Sequence, residues 1–307
     1  METDHFVLTL LTQTSPEENL ATLGDALVQH GFRVQRSRAL TATSTGCNAF
    51  EFVVTGATEC VANLRAALLQ LSHELGRDLA LRPEAHDYRH FRLAVFDMDS
   101  TLIEAEVIDE LAREMGVGEQ VAAITAAAMR GELDFQQSFR KRVALLKSLS
   151  EERLVAVAKR ILLTNGAERL FRVLKRLGIK TAVCSGGFTF MAKQLQQRLG
   201  IDYIHANELE IKNGVVTGEV PSQVLDGNRK AELLKQLAAG EGIRLDQVIA
   251  VGDGANDLPM INLAGMGIAF RAKPVVRAGA RYSLSHVGLD GILYLIGLHE
   301  DEICSLL

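Results

Sequence analysis

Cysteine is scarce. Cys47, Cys60, Cys184 and Cys304 are the only four in 307 residues, and no two stand in a CxxC or other zinc-binding spacing. That excludes a disulfide framework, and the four read as reduced thiols of a cytosolic protein. No block of Lys and Arg forms a basic stripe, and the formal net charge is −5, which argues against a nucleic-acid partner. No apolar run approaches the ~18 residues of a membrane span. The start "METDHFVLTLL" has no basic stretch before its short apolar run, so a signal peptide is not expected and a cytoplasmic location is. Neither GxGxxG nor GxxxxGK[ST] occurs, so dinucleotide and P-loop readings lack support.

What is present is an ordinary apolar content of 48% and enough length for about two domains. Residues 1–84 read as strand, helix, strand, strand, helix, strand: "HFVLTLL", "SPEENLATLGDALVQHG", "FRVQRSRALTAT", "NAFEFVVTG", "ECVANLRAALLQLSHELG" and "DLALRP". Ser15-Pro16-Glu17-Glu18 is a helix start, with a capping hydroxyl, proline at the first helical position and acids in the first turn. The order βαββαβ predicts a ferredoxin-like domain. The polar stretch "PEAHDYRH" then separates it from a second domain, 85–307.

There the pattern becomes strands alternating with helices, which predicts a parallel sheet in an α/β fold. Three places repeat one design: "RLAVFD" into "MDST", "KTAVCS" into "GGFTF", and "QVIAVGD" into "GAND". Each is a buried strand, then small or polar residues, then a helix. The carboxyl ends of parallel strands share one edge, where ligands bind. Asp97, Asp99, Ser185, Gly186, Gly187, Asp253 and Asn256 are therefore expected to converge. A helical insertion at about 104–164 is too long for a plain connection and predicts a cap over that edge. Asn213-Gly214 in "LEIKNGVVTGEV" predicts a hairpin.

Two carboxylates at the end of an apolar strand are costly unless something offsets them. Asp97, Asp99 and Asp253 together suit a hard cation such as Mg²⁺. Taken singly, Asp99, Ser100 or Thr101 could cap a helix and Asp253 a turn. Ser185-Gly186-Gly187 and Gly252-Asp253-Gly254 read as small residues at helix N-termini, suited to phosphate or simply to turns. Asn228 reads as a cap that puts Lys230 in a first helical turn. There a cation opposes the dipole unless it faces an anion. Phe135, Phe139, Arg142 and Leu146 share one helix face, so Arg142 either snorkels or pairs with a carboxylate. Glu106 flanks the stripe Val107, Ile108, Leu111, Met115, and periodicity alone leaves it a solvated acid.

From Phe91 onward these residues resemble the haloacid dehalogenase-like phosphatases. "FDMDST" matches the DxDx[TV] motif, Ser185 the second motif, Lys230 the third and "GDGAND" the fourth. The details "DSTLIEAEVIDELA", "ITAAAMRGELDFQQSFRKRVALLK", "VCSGGF" and "AVGDGANDLPM" are similar to those of the phosphoserine phosphatases. The resemblance implies a Rossmann-like core with a helical cap and hydrolysis of O-phosphoserine, the last step of serine biosynthesis. It implies Asp97 as nucleophile and Asp99 as acid and base. Mg²⁺ would be held by Asp97, the Asp99 carbonyl and Asp253. Ser185, the Gly186 amide and Lys230 would hold the phosphoryl group, with Asn256 and Asp257 orienting phosphate and metal waters. In the cap, Arg142 would take the substrate carboxylate, Glu106 the ammonium, and Met129 and Phe135 would shield the site from water. Residues 1–84 resemble the amino-acid-sensing ACT modules by pattern. The junction "LTQTSPEEN" lacks the glycine of their effector site, which leaves homodimerisation or a vestigial role open. Rival readings are a phosphotransferase from phosphoserine to another hydroxyl amino acid, a persistent phospho-acceptor switch, and an amino-acid-binding regulator with a silent phosphatase domain.

Overall fold

A computed structural model of the chain describes residues 4–14, 20–41, 47–220 and 223–307. The N-terminal part is β1 (Asp4–Thr12), α1 (Leu20–Gln29), β2 (Arg33–Ala39), β3 (Asn48–Gly56), α2 (Val61–Leu75) and β4 (Asp78–Pro83), the βαββαβ order expected. The helix start at Ser15–Glu18 and the end of the "LTQTSPEEN" junction lie outside the described residues. The four strands form an antiparallel sheet in the order β2-β3-β1-β4, consistent with an ACT-like domain.

Strand alternation gives this sheet two faces. Phe6, Leu8, Leu10, Leu79 and Leu81 point to one, where they pack on Leu23, Leu27, Leu64 and Leu68 of the two helices. The opposite face would be wet if this unit stood alone. Instead Leu11, Ala49 and Ala80 join the core of the second unit. The buried Asp78 carboxylate accepts the backbone N–H groups of Ser285, His286 and Val287 at 2.6, 2.9 and 3.2 Å. Arg82 Nε donates to the Leu295 carbonyl at 2.9 Å. Polar groups that would be costly to bury alone are thus satisfied across the joint.

The second unit opens with β5 (Leu93–Phe96), followed by the four helices α3 (Val107–Met115), α4 (Gly118–Met129), α5 (Phe135–Ala144) and α6 (Glu151–Arg160). Then come α7 (Ala167–Arg176), β6 (Lys180–Phe188), α8 (Thr189–Leu199), β7 (Tyr203–Asn207), the hairpin β8 (Ile211–Lys212) and β9 (Val215–Val216), and α9 (Gly227–Gly240). The chain ends with β10 (Val248–Gly252), α10 (Leu258–Ile261), β11 (Met266–Phe270), α11 (Pro274–Gly279), β12 (Tyr282–Leu284), α12 (Gly291–Leu295) and α13 (Glu300–Leu306). Six strands form one parallel sheet in the order β12-β11-β10-β5-β6-β7.

The sequence explains the centre of this sheet. Every residue of "LAVF" in β5 is buried, Leu93 and Val95 toward one helical layer and Ala94 and Phe96 toward the other. A continuous apolar run is what a parallel strand covered on both faces requires. The hairpin is as expected: Asn213 and Gly214 both have positive φ, 54° and 77°, the backbone of a two-residue turn. Among the described residues no helix is long and apolar enough to cross a membrane.

Candidate active site

Strand register brings the motif residues together. Phe96 pairs with Val251 on one side and Val183 on the other, so β10, β5 and β6 end at one level. Asp97 follows Phe96, Asp253 follows Gly252, and Ser185 lies two residues past Val183. The Asp97 amide donates to the Val251 carbonyl at 2.9 Å, which prolongs the ladder by one residue and fixes the Asp97 backbone.

After Asp99 no helix begins. Ser100 takes a left-handed backbone, φ 56°, and its amide donates to the Ala105 carbonyl at 3.2 Å. The chain turns back on itself, and α3 starts only at Val107. None of Asp99, Ser100 and Thr101 stands at the N-cap position of α3, which is Glu106, though the Asp99 carboxylate still meets the Val107 amide at the start of that helix. The Ser100 and Thr101 side chains are engaged elsewhere. Thr101 Oγ1 donates to Asp253 Oδ1 at 3.0 Å, and Ser100 Oγ donates to Glu106 Oε1 at 2.7 Å.

Lys230 is fully buried. Its Nζ lies 2.6 Å from Asp257 Oδ1 and 2.7 Å from Asp97 Oδ1. Burial alone would strip its proton, but Asp257 and Asp97 more than reverse that and hold the ammonium charged. The helix cap is Asp226 and not the expected Asn228: the Asp226 carboxylate accepts the Arg229 amide at 3.0 Å. Asn228 is instead the second helical residue, and Lys230 faces anions from the first turn, the sharper of its two readings.

The Ser185-Gly186-Gly187 segment is also placed differently from expectation. It belongs to β6, where the pairing with β7 shifts register between Cys184 and Phe188, and α8 begins only at Thr189. Ser185 Oγ accepts the Gly187 amide at 2.9 Å. A Cβ on Gly187 would stand 2.8 Å from Asp99 Oδ2, so only glycine lets the backbone come this close. Gly254 likewise precedes a single 3-10 turn, Ala255–Asp257, and donates to Asp257 Oδ2 at 2.9 Å.

Asn207 does not stand out in the sequence. It is buried at the end of β7, donates to the Gly186 carbonyl at 2.8 Å and accepts the Leu225 amide at 2.8 Å. It ties the Ser185–Gly187 segment to the segment that leads to Lys230. A polar residue closing a strand is the only available signal.

Asp97, Asp253 and Asp257 offer carboxylate oxygens within 4.8 Å of one another. Burial and the Asp97 charge push Asp253 up to about 7 and Asp257 up to about 6. Such mutual repulsion, in an all-oxygen donor set, fits a hard cation. The Asp99 carboxylate lies outside that cluster. Burial, then Glu106 and Asp97, raise its pKa well above the usual range, which favours the protonated form.

The cap covers this edge across a cavity of about 840 Å³, lined by Asp97, Asp99, Glu106, Arg142, Ser185 and Asn256 among others. Arg142 points into it, with Nε buried and donating to no partner. Burial lowers its pKa, offset by Asp109, Glu106 and Asp99. Glu106 meets cavity solvent but is walled in by protein, which raises its pKa against the Ser100 hydrogen bond. Phe135 lines the chamber beside Gly186. Met129 and Val275 also line the chamber, 70% and 72% exposed.

Residues 94–262 match the family described as haloacid dehalogenase-like hydrolase. The chain belongs to that family. It is 43% identical over 298 residues to the phosphoserine phosphatase of Streptomyces coelicolor, covering 97% of this chain and 72% of that protein. The solved structure of a haloacid dehalogenase family hydrolase from Salmonella enterica superposes with a TM-score of 0.85 at 34% identity, over 95% of this chain and 99% of that one. A phospho-aspartyl intermediate analogue of phosphoserine phosphatase does so with a TM-score of 0.63 at 47% identity, over 67% of this chain and 98% of that one. By family the chain is a hydrolase of the phosphatase type, with an acidic cluster able to hold a metal ion.

Proposed function

We propose that the chain hydrolyses O-phosphoserine to serine and phosphate, with Mg²⁺ bound and through a phosphorylated Asp97. One observation carries this reading. A single chamber holds Arg142 and Glu106 on its cap side and Asp97 and Ser185 on its sheet side, with Lys230 buried behind Asp97, 2.7 Å from its Oδ1. These are partners for a carboxylate, an ammonium and a phosphate.

Asp97, Asp253 and the Asp99 carbonyl would hold Mg²⁺, which when bound supplies the positive charge that lets a carboxylate meet a phosphate dianion. Lys230, Ser185 Oγ and the Gly186 amide bind the phosphoryl oxygens, a positioning and charge task. The Asp97 carboxylate attacks phosphorus, and the bond to the serine oxygen breaks. Asp99, in its protonated form, gives its proton to that oxygen. It then takes a proton from water, which attacks the same phosphorus and frees Asp97 and phosphate. Asn256 and Asp257 orient the bound groups. Arg142 takes the substrate carboxylate through its fork, and Glu106 its ammonium. Swinging Met129 and Phe135 over the mouth would exclude water during the reaction.

We divide the chain at 84/85 into an ACT-like unit and a phosphatase unit whose cap spans about 104–164. Support comes from the sheets, one ending at Pro83 and the other starting at Leu93. In this reading the N-terminal unit forms a homodimer. The support is β2, exposed along its whole length at the sheet edge. A cytoplasmic location fits the free thiols of Cys60, Cys184 and Cys304. The deciding experiment is phosphate release from a panel of phosphorylated small molecules with and without Mg²⁺. Preference for a substrate lacking the amino-acid head would overturn the reading.

A further inference from the structure

The segment between the two sheets carries His86 and His90, four residues apart and half-buried. They lie against Asp246, in the turn Leu245–Gln247 that leads into β10. Candidate ligand atoms of His86, His90 and Asp246 all fall within 4.8 Å of one another. His90 Nε2 is 2.9 Å from the Asp246 carbonyl oxygen and 3.5 Å from Asp246 Oδ2. Bonds of ~2.0–2.2 Å at tetrahedral angles put neighbouring donor atoms about 3.3–3.6 Å apart. His90 and Asp246 are therefore already at ligand spacing. Arg244 orients the carboxylate from outside, its Nε 3.0 Å from Oδ1 and its Nη2 2.9 Å from Oδ2. Held carboxylates of this kind commonly support a metal.

His86 supplies the third donor. Its ring stacks on that of His90, centroids 4.2 Å apart and planes 7° from parallel, and it makes no hydrogen bond among the described residues. Two stacked rings cannot both aim a lone pair at one ion. The torsion about the His Cβ–Cγ bond is broad, however, and turning His86 into the gap breaks no hydrogen bond. Burial and the neighbouring His90 hold the His86 pKa below its ordinary value, so its lone pair is available at neutral pH.

We propose that His86, His90 and Asp246 bind one transition-metal ion of the zinc type. The ion takes the place of the imidazole proton now shared with the Asp246 carbonyl, and His90 stays neutral by carrying its proton on Nδ1 instead. Two imidazoles and one carboxylate select zinc, nickel or cobalt over Mg²⁺, unlike the all-oxygen cluster at Asp97. The fourth position is left to water, since Asp246 is 44% exposed. Arg65, Arg82 and Arg244 nearby oppose a dication, so binding is weaker than in a closed four-ligand site. Once bound, the ion fastens the connecting segment to the turn before β10.

Full-length protein without a polyhistidine tag is titrated calorimetrically with Zn²⁺ in saturating Mg²⁺. It is compared with a His86→Ala/His90→Ala double variant and an Asp97→Asn/Asp253→Asn double variant. One Zn²⁺ per chain is expected in the parent and in the acid variant, with binding weakened by more than about tenfold in the histidine variant. Zn²⁺ should also raise the melting midpoint of the parent and protect residues 84–92 from protease, with neither effect in the histidine variant. Equal Zn²⁺ binding by parent and histidine variant, or loss only in the acid variant, overturns the site. Should the double alanine variant unfold, His86→Gln removes the imidazole donor while keeping a polar side chain of similar size. Zn²⁺ binding should weaken in it too, and unweakened binding counts against the proposal.

Discussion

Lys230 and Asp257 meet with no solvent at either side chain, Nζ to Oδ1 at 2.6 Å, and the same ammonium reaches Asp97 Oδ1 at 2.7 Å. Removing one member of a buried pair leaves an uncompensated charge and costs about 3–5 kcal/mol. Lys230→Met leaves two carboxylates in that position. It should lower the melting midpoint of the metal-free protein and reduce turnover by about 10²–10³-fold, the usual loss when one stabilising donor is removed. Thermal melts and phosphate release measure the two effects. Turnover at the parent rate would take Lys230 out of the site.

Asp97→Asn tests the nucleophile. The replacement keeps the size of the side chain and relieves repulsion with Asp253 and Asp257, both of which Asp97 pushes up. The metal-free variant should melt no lower than the parent while releasing no phosphate and forming no phosphoenzyme. Parent-level turnover would remove the covalent route.

Arg142→Ala addresses substrate choice. The guanidinium faces the cavity with Nε unpaired, so an incoming carboxylate is its natural partner. Loss of a charged hydrogen-bonded partner is worth ~1.5–3 kcal/mol, or roughly 10–150-fold. KM for phosphoserine should rise by that order and KM for p-nitrophenyl phosphate should barely change. Equal shifts for both substrates would mean that Arg142 shapes the cap without reading the carboxylate.

Short-range pattern carried most of the fold. β3 and β4 occupy the stretches expected, because "NAFEFVVTG" and "DLALRP" are bounded by turn residues. The three strand ends converge because a buried parallel strand is a visible apolar run. What could not be read depends on contacts distant in sequence. Asn207 bonds to Gly186 and Leu225, 21 and 18 residues away, and nothing local marks it. Asp78 and Arg82 sit on a face that alternation would leave wet, and only the docked segment around Ser285 and Leu295 explains their burial. Asp226 and Asn228 are both good capping residues, and which one caps depends on where α9 packs. The resemblance supplied Glu106, which periodicity placed in solvent. The Ser100 backbone turn then aims its hydroxyl at that carboxylate.

Metal removal and pH are linked at Asp253, whose pKa burial and Asp97 raise from an ordinary 3.8 to about 7 in the metal-free fold. The folded chain therefore binds a proton that the unfolded chain releases near pH 4, so metal-free stability should fall as pH rises from 4 through 7. With Mg²⁺ bound the carboxylate is held ionised and the trend should vanish. The same proton must leave before the ion can bind, so apparent Mg²⁺ affinity should drop by up to about tenfold per pH unit below 7. Calorimetry in buffers of different ionisation enthalpy would show proton release near pH 6, and melts with chelator across pH 5–8 would show the slope. Asp253→Asn should lessen both, leaving the slope that Asp257 and Asp99 contribute. A metal-free melting curve as sensitive to pH in Asp253→Asn as in the parent would mean that the repulsion at this sheet edge is relieved by something other than a proton on Asp253.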